Sequence, residues 1–301
     1  MNSYEHMFAL LKRNHASGSD GERLANEMLV SGYNVLRDFI AREVGEPWVM
    51  TSKLENFYRV SDSFIYELLV WHHTPNRIQE RTELTSCLNF LFRDGARVLC
   101  VGDGISYDSC AIALHSPDFQ VVSSEFESPS TVFAGRLIDD LGLGRRVDMV
   151  HDPSTLKRGH FDAVVCFDVI EHVPIPQDLL CDLASYLKPG GYAFITEAFG
   201  SVEPLRPTHL LSNLKYTGQL IRLCRGCGLS FQKILGARIH VFIKNPPAWP
   251  PGRQESVHLL RGLWRALRAQ QNFQRFRCMG RVELERSVLT EVANPSAACT
   301  P

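Results

Sequence analysis

From residue 97 to residue 244 the chain alternates short apolar runs with longer amphipathic stretches, the pattern of strands joined by crossover helices. The runs predict strands near 97–101, 120–124, 146–150, 161–167, 191–197, 229–235 and 238–244, with helices near 107–115, 130–141 and 177–187. Only Gly236 and Ala237 separate the last two runs, which is the spacing of a hairpin. Upstream, GERLANEMLVSGYNVLRDFIAREV and SDSFIYELLVWHHT carry helical periodicity broken at Pro47 and Pro75, and Gly18-Ser19-Asp20 is a start signal for the first long helix. Downstream, NPPAWPPG ends the pattern and VHLLRGLWRALRAQQNF reads as one basic amphipathic helix. The chain is thus predicted to hold a helical N-terminal domain (1–94), an α/β domain (95–245) and a C-terminal extension (246–301).

The chemistry begins where the first strand ends. Residues 97–108 read RVLCVGDGISYD, an apolar strand running into a turn with Gly102 and Gly104 two apart, and the next strand closes at Glu125. This is the opening of a βαβ nucleotide-binding unit: glycines let a ligand approach the backbone, the following helix presents free N–H groups, and the later carboxylate can grip a ribose. Two glycines after an apolar run also make an ordinary tight turn. Two later segments add weight to the binding reading. FDAVVCFDVIEHV (161–173) supplies a buried strand ending at Asp168, and LASYLKPGGYAFITEAF (183–199) gives a helix end, a Pro-Gly-Gly turn and a strand ending in Glu197. Polar groups at such strand ends fall on the carboxyl edge of a parallel sheet, where these folds bind ligands.

At these residues the chain resembles the class I S-adenosylmethionine-dependent methyltransferases, over about half its length. The family's first motif runs from an apolar strand through an acidic residue to Gly-x-Gly-x-Gly. VLCVGDGIS keeps Gly102 and Gly104 but has Cys100 at the acidic position and Ser106 at the third glycine. FDVIEHV and LKPGG are the most specific stretches of the resemblance. It implies a Rossmann-like domain with a seven-stranded, mostly parallel sheet and S-adenosylmethionine as cofactor. It also implies that Glu125 is the acid closing the second strand, that Asp152 lies on the adenine side, and that the N-terminal helices act as a lid or substrate wall. The alternative is an NAD- or flavin-dependent oxidoreductase, for which Gly-x-Gly-x-x-Gly lacks its last glycine. A cofactor without a pyrophosphate does not need that residue.

Composition narrows the acceptor. A formal net charge of -1, from 32 basic and 33 acidic residues, gives no general attraction for phosphate backbones and disfavours a nucleic-acid substrate. Methylation of a protein stays open as an alternative. The leading expectation is an amine or hydroxyl on a small, sugar-containing natural product of the antibiotic-tailoring type. No apolar run approaches the about 18 residues of a membrane span, so a cytoplasmic enzyme without membrane attachment is expected. Nine cysteines are too few for a disulfide scaffold. Cys100, Cys110 and Cys166 read as core side chains, and the lone pair Cys224 and Cys227 supplies two of the four ligands a structural zinc needs, so packing is expected there and no metal site. The C-terminal amphipathic helix could dock on the core or on a second subunit, which leaves a homodimer open.

Methyl transfer needs the nucleophile, methyl carbon and sulfur aligned in a dry cleft, and somewhere for the acceptor's proton to go. Backbone at Gly102 and Gly104 is expected beside the methionine portion, with Asp103 near its ammonium. Glu125 is expected on both ribose hydroxyls, Phe126 as a wall of the adenine slot, and Asp152 on the adenine amino group or as a helix cap. On the acceptor side His172 is the leading general base, four residues past Asp168, with Glu171, Glu197 and His209 in second line. Asp168 is also expected against the cofactor, and the carboxylates Asp168, Glu171 and Glu197 could orient a cationic substrate, which tips the expectation slightly toward nitrogen.

Overall fold

The computed structural model describes residues 34–72, 75–203 and 206–244. The start signal at residues 18–20 and the C-terminal extension with its amphipathic helix lie outside the described residues. Among the described residues four helices come first: α1 (Asn34–Ala41), α2 (Ser52–Val60), α3 (Ser63–His72) and α4 (Pro75–Leu91). The sheet domain comes next as β1 (Arg97–Val101), α5 (Tyr107–His115), β2 (Gln120–Ser124), α6 (Pro129–Asp140), β3 (Val147–Val150), β4 (Phe161–Cys166), α7 (Pro176–Tyr186), β5 (Leu187–Ile195), α8 (Leu220–Gly226), β6 (Leu229–Leu235) and β7 (Ile239–Lys244). The sheet has seven strands in the order β3-β2-β1-β4-β5-β7-β6. The first five pair in parallel, and β7 runs antiparallel to both β5 and β6.

The period-2 alternation of the strands explains the layers. Val98 and Cys100 of β1 enter a core shared with Leu84 and Leu88 of α4 and Cys110 and Ile112 of α5. Leu99 points to the opposite face, into a core with Leu180 and Leu183 of α7 and Ile221 and Cys224 of α8. Cys100 and Cys166 are buried core residues, and the Cys at the family's acidic position therefore takes a packing place.

Two local expectations are corrected. The Pro-Gly-Gly segment is not a turn ahead of the strand, because β5 already starts at Leu187, paired with Phe161 of β4. Pairing resumes at Ala163 and Tyr192, so the extra residues bulge out within β5. Where packing was expected of both Cys224 and Cys227, Cys227 forms a disulfide with Cys181, tying α7 to the end of α8, while Cys224 is a free buried thiol. A contact 46 residues apart in the chain has no local signal.

The N-terminal helices cover the carboxyl edge of the sheet. A Cβ at Gly104 would meet Leu68 of α3, so helix and glycine turn are in direct contact. The buried Trp48 fastens the other end: its N–H donates to the Pro207 carbonyl (2.7 Å) and its indole N–H to the Arg206 carbonyl (3.1 Å), while its own carbonyl accepts from Leu211 (2.9 Å). The segment 206–213 is thereby held between the helices and the turn after β4.

Candidate active site

After β1 the backbone turns through three left-handed residues, Gly102 (φ 71), Gly104 (φ 52) and Ser106 (φ 55). A Cβ at Gly102 would collide with Val169, so this glycine is required for both its conformation and its close approach. Ser106 makes no side-chain cap on α5. Asp103 does so from further upstream, accepting from the backbone of Asp108 (3.0 Å) and Ser109 (2.8 Å). Each of its oxygens therefore accepts from the helix end. Burial and the neighbouring Asp108 push its carboxyl up to about 7.

Glu125 stands just past β2. Its carboxylate accepts from Gly104 N–H (3.1 Å) and from Phe126 N–H (3.0 Å), which fixes it at the rim of the glycine turn. Burial raises its pKa to about 6. Phe126 lies beside Tyr58 of α2 (ring centroids 6.2 Å), with the Arg59 guanidinium over its ring (5.4 Å). Asp152 is fully exposed and caps the short turn Pro153–Thr155, accepting from Ser154 N–H (2.9 Å). It sits at the β3 end, next to Glu125 in the sheet edge, as a cap.

Between the glycine turn and the helices is a small cleft, open to solvent, with Trp71, Arg77, Gly102, Asp103, Phe167 and Asp168 in its wall. Asp168 has a left-handed backbone (φ 55). Its carboxylate accepts from Arg238 (2.7 Å), Trp71 Nε1 (3.3 Å) and Thr196 Oγ1 (3.1 Å), and Arg77 lies 3.5 Å away. Burial alone would raise its pKa, but Arg238 and Arg77 hold the carboxyl well below the usual range. The same arginines continue a buried ionic cluster: Arg77 pairs with Glu80 (2.6 Å), Arg81 with Asp108 (2.6 Å) and Arg238 with Glu80 (2.7 Å). Arg77, Arg81 and Arg238 were not singled out by the sequence, because an arginine on a helix or in a hairpin turn reads as a solvated face until the fold buries it. Arg77 Nε is buried with no hydrogen-bond partner among the described residues. An orphaned guanidinium N–H beside Gly102 and Asp103 fits the carboxylate of a bound amino-acid moiety.

A second group forms where the turn after β4 meets the segment 206–213. Glu171, His172 and His209 bring one carboxylate oxygen and one nitrogen from each ring within 4.8 Å of one another. The segment is tied down by Leu210 N–H to the Glu171 carbonyl (3.0 Å) and by Asn213 Nδ2 to the Val173 carbonyl (2.8 Å). His172 Nδ1 lies 3.1 Å from the Thr208 carbonyl and 2.9 Å from the Tyr58 hydroxyl. A carbonyl only accepts, so Nδ1 carries the proton and Nε2 keeps its lone pair. Burial lowers the His172 pKa to about 4 and that of His209 well below its ordinary value. Glu171 is raised well above the carboxylate range by burial and by Asp168. Glu197 accepts from Phe199 N–H (2.8 Å) just beyond β5. Tyr58 links the two regions, since its ring lies 6.2 Å from both Phe126 and His172.

A sheet of this order, with a glycine turn and an acidic β2 end at its carboxyl edge, defines a class I S-adenosylmethionine-dependent methyltransferase domain. The chain matches the methyltransferase-domain family over residues 70–226, just over half its length, and belongs to that family. A ubiquinone biosynthesis O-methyltransferase of Xanthomonas campestris pv. campestris is 35% identical over 102 residues, covering 34% of this chain and 43% of that protein. The corresponding protein of Xanthomonas axonopodis pv. citri is 34% identical over the same length. The chain spans less than half the length of these curated relatives. Among solved structures, an O-methyltransferase family protein from Burkholderia thailandensis superposes with a TM-score of 0.53 at 18% identity, covering 74% of this chain and 73% of that one. The CurJ carbon methyltransferase gives 0.52 at 12% identity, covering 82% and 72%. These two likenesses show the fold alone. No helix among the described residues is long and apolar enough to cross a membrane.

Proposed function

We propose that the chain methylates a hydroxyl of a small acceptor held against Glu171, His172 and His209, using S-adenosylmethionine bound along the carboxyl edge of β1 and β2. The observation that carries this reading is the convergence of those three side chains beside the cofactor cleft, with Tyr58 between the two. Bound S-adenosylmethionine supplies an electrophilic methyl group on a sulfonium sulfur that leaves as a neutral thioether. Arg77 would take its methionine carboxylate, the backbone at Gly102 would run alongside, Glu125 would accept from the ribose hydroxyls, and Phe126 would flank the adenine. Asp103 and Asp152 serve as caps in this reading and support the cofactor walls indirectly.

Oxygen is favoured over the nitrogen first expected, because the carboxylates meant to orient an ammonium are engaged. Asp168 is paired with Arg238 and Arg77, Glu197 is turned to Phe199, and burial disfavours the charged form of Glu171. The curated relatives are named for O-methylation, which agrees with this choice. His172 presents a neutral Nε2 that can receive the acceptor's proton as the C–O bond forms. The helices before residue 94 form the wall over the acceptor, and a sugar-bearing natural product remains the acceptor type to test first.

The test is transfer of labelled methyl from S-adenosylmethionine by the full chain to a panel of phenols, sugar hydroxyls and amines, with a cell-extract protein and nucleic-acid fraction alongside. Label in hydroxyl-bearing small molecules is the expected result. Label confined to amines, or to macromolecules, overturns it.

A further inference from the structure

We infer that Glu171, His172 and His209 form a binding site for one divalent transition-metal cation of the zinc type. The first observation is proximity: the three ligand atoms lie within 4.8 Å of one another, and the side chains would have to turn inward to meet one cation at bonds of about 2.0–2.2 Å. The second is that the site is polar and unsatisfied. Glu171 is 1% exposed and His209 8%, yet among the described residues neither Glu171 oxygen has a partner apart from its own amide, and His209 Nδ1 has none. Burying such groups without a partner costs free energy that a cation would offset.

The third observation is the arrangement behind the ligands. His172 Nδ1 faces the Thr208 carbonyl, and the other nitrogen of His209 bonds the Ala198 carbonyl, so each ring is fixed from behind and keeps one lone pair for a metal. Two imidazoles and one carboxylate suit Zn²⁺, Fe²⁺ or Mn²⁺, whereas Mg²⁺ and Ca²⁺ favour all-oxygen shells. Three protein ligands leave coordination positions for an acceptor oxygen.

The catalytic use of the cation rests on the acceptor position proposed above; its binding does not. An acceptor hydroxyl bound to the cation loses its proton to solvent, its oxygen pair forms the bond to the methyl carbon, and the C–S pair stays on sulfur. His172 is then a ligand, and it is the proton acceptor only in the metal-free protein.

The experiment titrates chelator-stripped full-length protein with Zn²⁺ against a chromophoric competitor and counts the metal retained after gel filtration. One equivalent per chain is expected, undisturbed by millimolar Mg²⁺, with affinity at least tenfold weaker in Glu171→Gln and in His209→Gln. No retained zinc, or equal affinity in folded variants, overturns the site. If a variant does not fold, Co²⁺ loaded into the wild type decides: thiolate charge-transfer bands place the metal on cysteines and overturn the inference, whereas d–d bands without them support it. Zinc binding without methyl transfer would leave this site standing and sink the proposed function, and the reverse result would do the opposite.

Discussion

Glu125 is a half-buried acid whose two oxygens are held by backbone N–H groups, and both its energetics and its role can be tested at that one position. Its pKa is raised from 4.5 to about 6, so its stabilising contribution is present in full below pH 4.5 and is lost as the pH rises through 6. Between those limits the wild type should lose about 2 kcal/mol relative to Glu125→Gln, read from urea melts at about pH 4.5 and 7.5. Parallel stability profiles for the two proteins would show that the carboxyl is not buried as described. Cofactor affinity in Glu125→Ala should fall about 10- to 100-fold, since charged hydrogen bonds are worth about 1.5–3 kcal/mol, and calorimetry with the demethylated cofactor measures it. His172→Ala should lose about 100-fold or more in turnover while cofactor affinity stays nearly constant. Near-normal turnover would reduce His172 to a packing residue.

At the scale of elements, the turn from β1 into α5 and the link from α7 to α8 are the points where one change acts on several segments. Gly102→Ala places a Cβ on Val169 at a left-handed position, so it should destabilise the domain and weaken cofactor binding together. A variant with wild-type melting and affinity would mean that the turn has another shape. The Cys181–Cys227 bond joins residues 46 apart, for which about 2–4 kcal/mol of stabilisation is typical. Reductant should lower the melting temperature of the wild type and leave that of Cys227→Ser unchanged. Equal responses would show that the bond does not form in solution.

For the molecule as a whole, the helices before β1 pack against the glycine turn and line the cleft beside it. Trp71, Arg77 and Leu68 line the cleft beside the glycine turn, Tyr58 reaches His172, and Trp48 anchors the segment that carries His209. Replacing Trp48 by Ala removes a side chain 1% exposed and should cost about 3–5 kcal/mol. It should also lower turnover more than cofactor affinity, because the segment it holds faces the acceptor. Loss of cofactor affinity alone, with turnover preserved at saturation, would contradict that division.

The α/β class, six of the seven strand positions and the crossover helices were legible in the sequence to within a residue or two, since they rest on local periodicity and on glycines that only a tight turn requires. Gly102, Gly104 and Glu125 were legible for the same reason, as a spacing along one stretch of chain. Local pattern did not separate a carboxylate that meets a ligand from one that meets backbone: Asp103 was read for the cofactor and Asp152 for either role, and in the fold both accept from backbone N–H groups as caps. Nor did it show Arg77, Arg81 and Arg238 gathered around Asp108 and Asp168, the Cys181–Cys227 bond, or the meeting of Glu171 with His209. Those depend on segments up to 158 residues apart brought together by burial of the helices on the sheet edge. Charge and bonding capacity are properties of a residue, but which partner satisfies them is decided only by the packed fold.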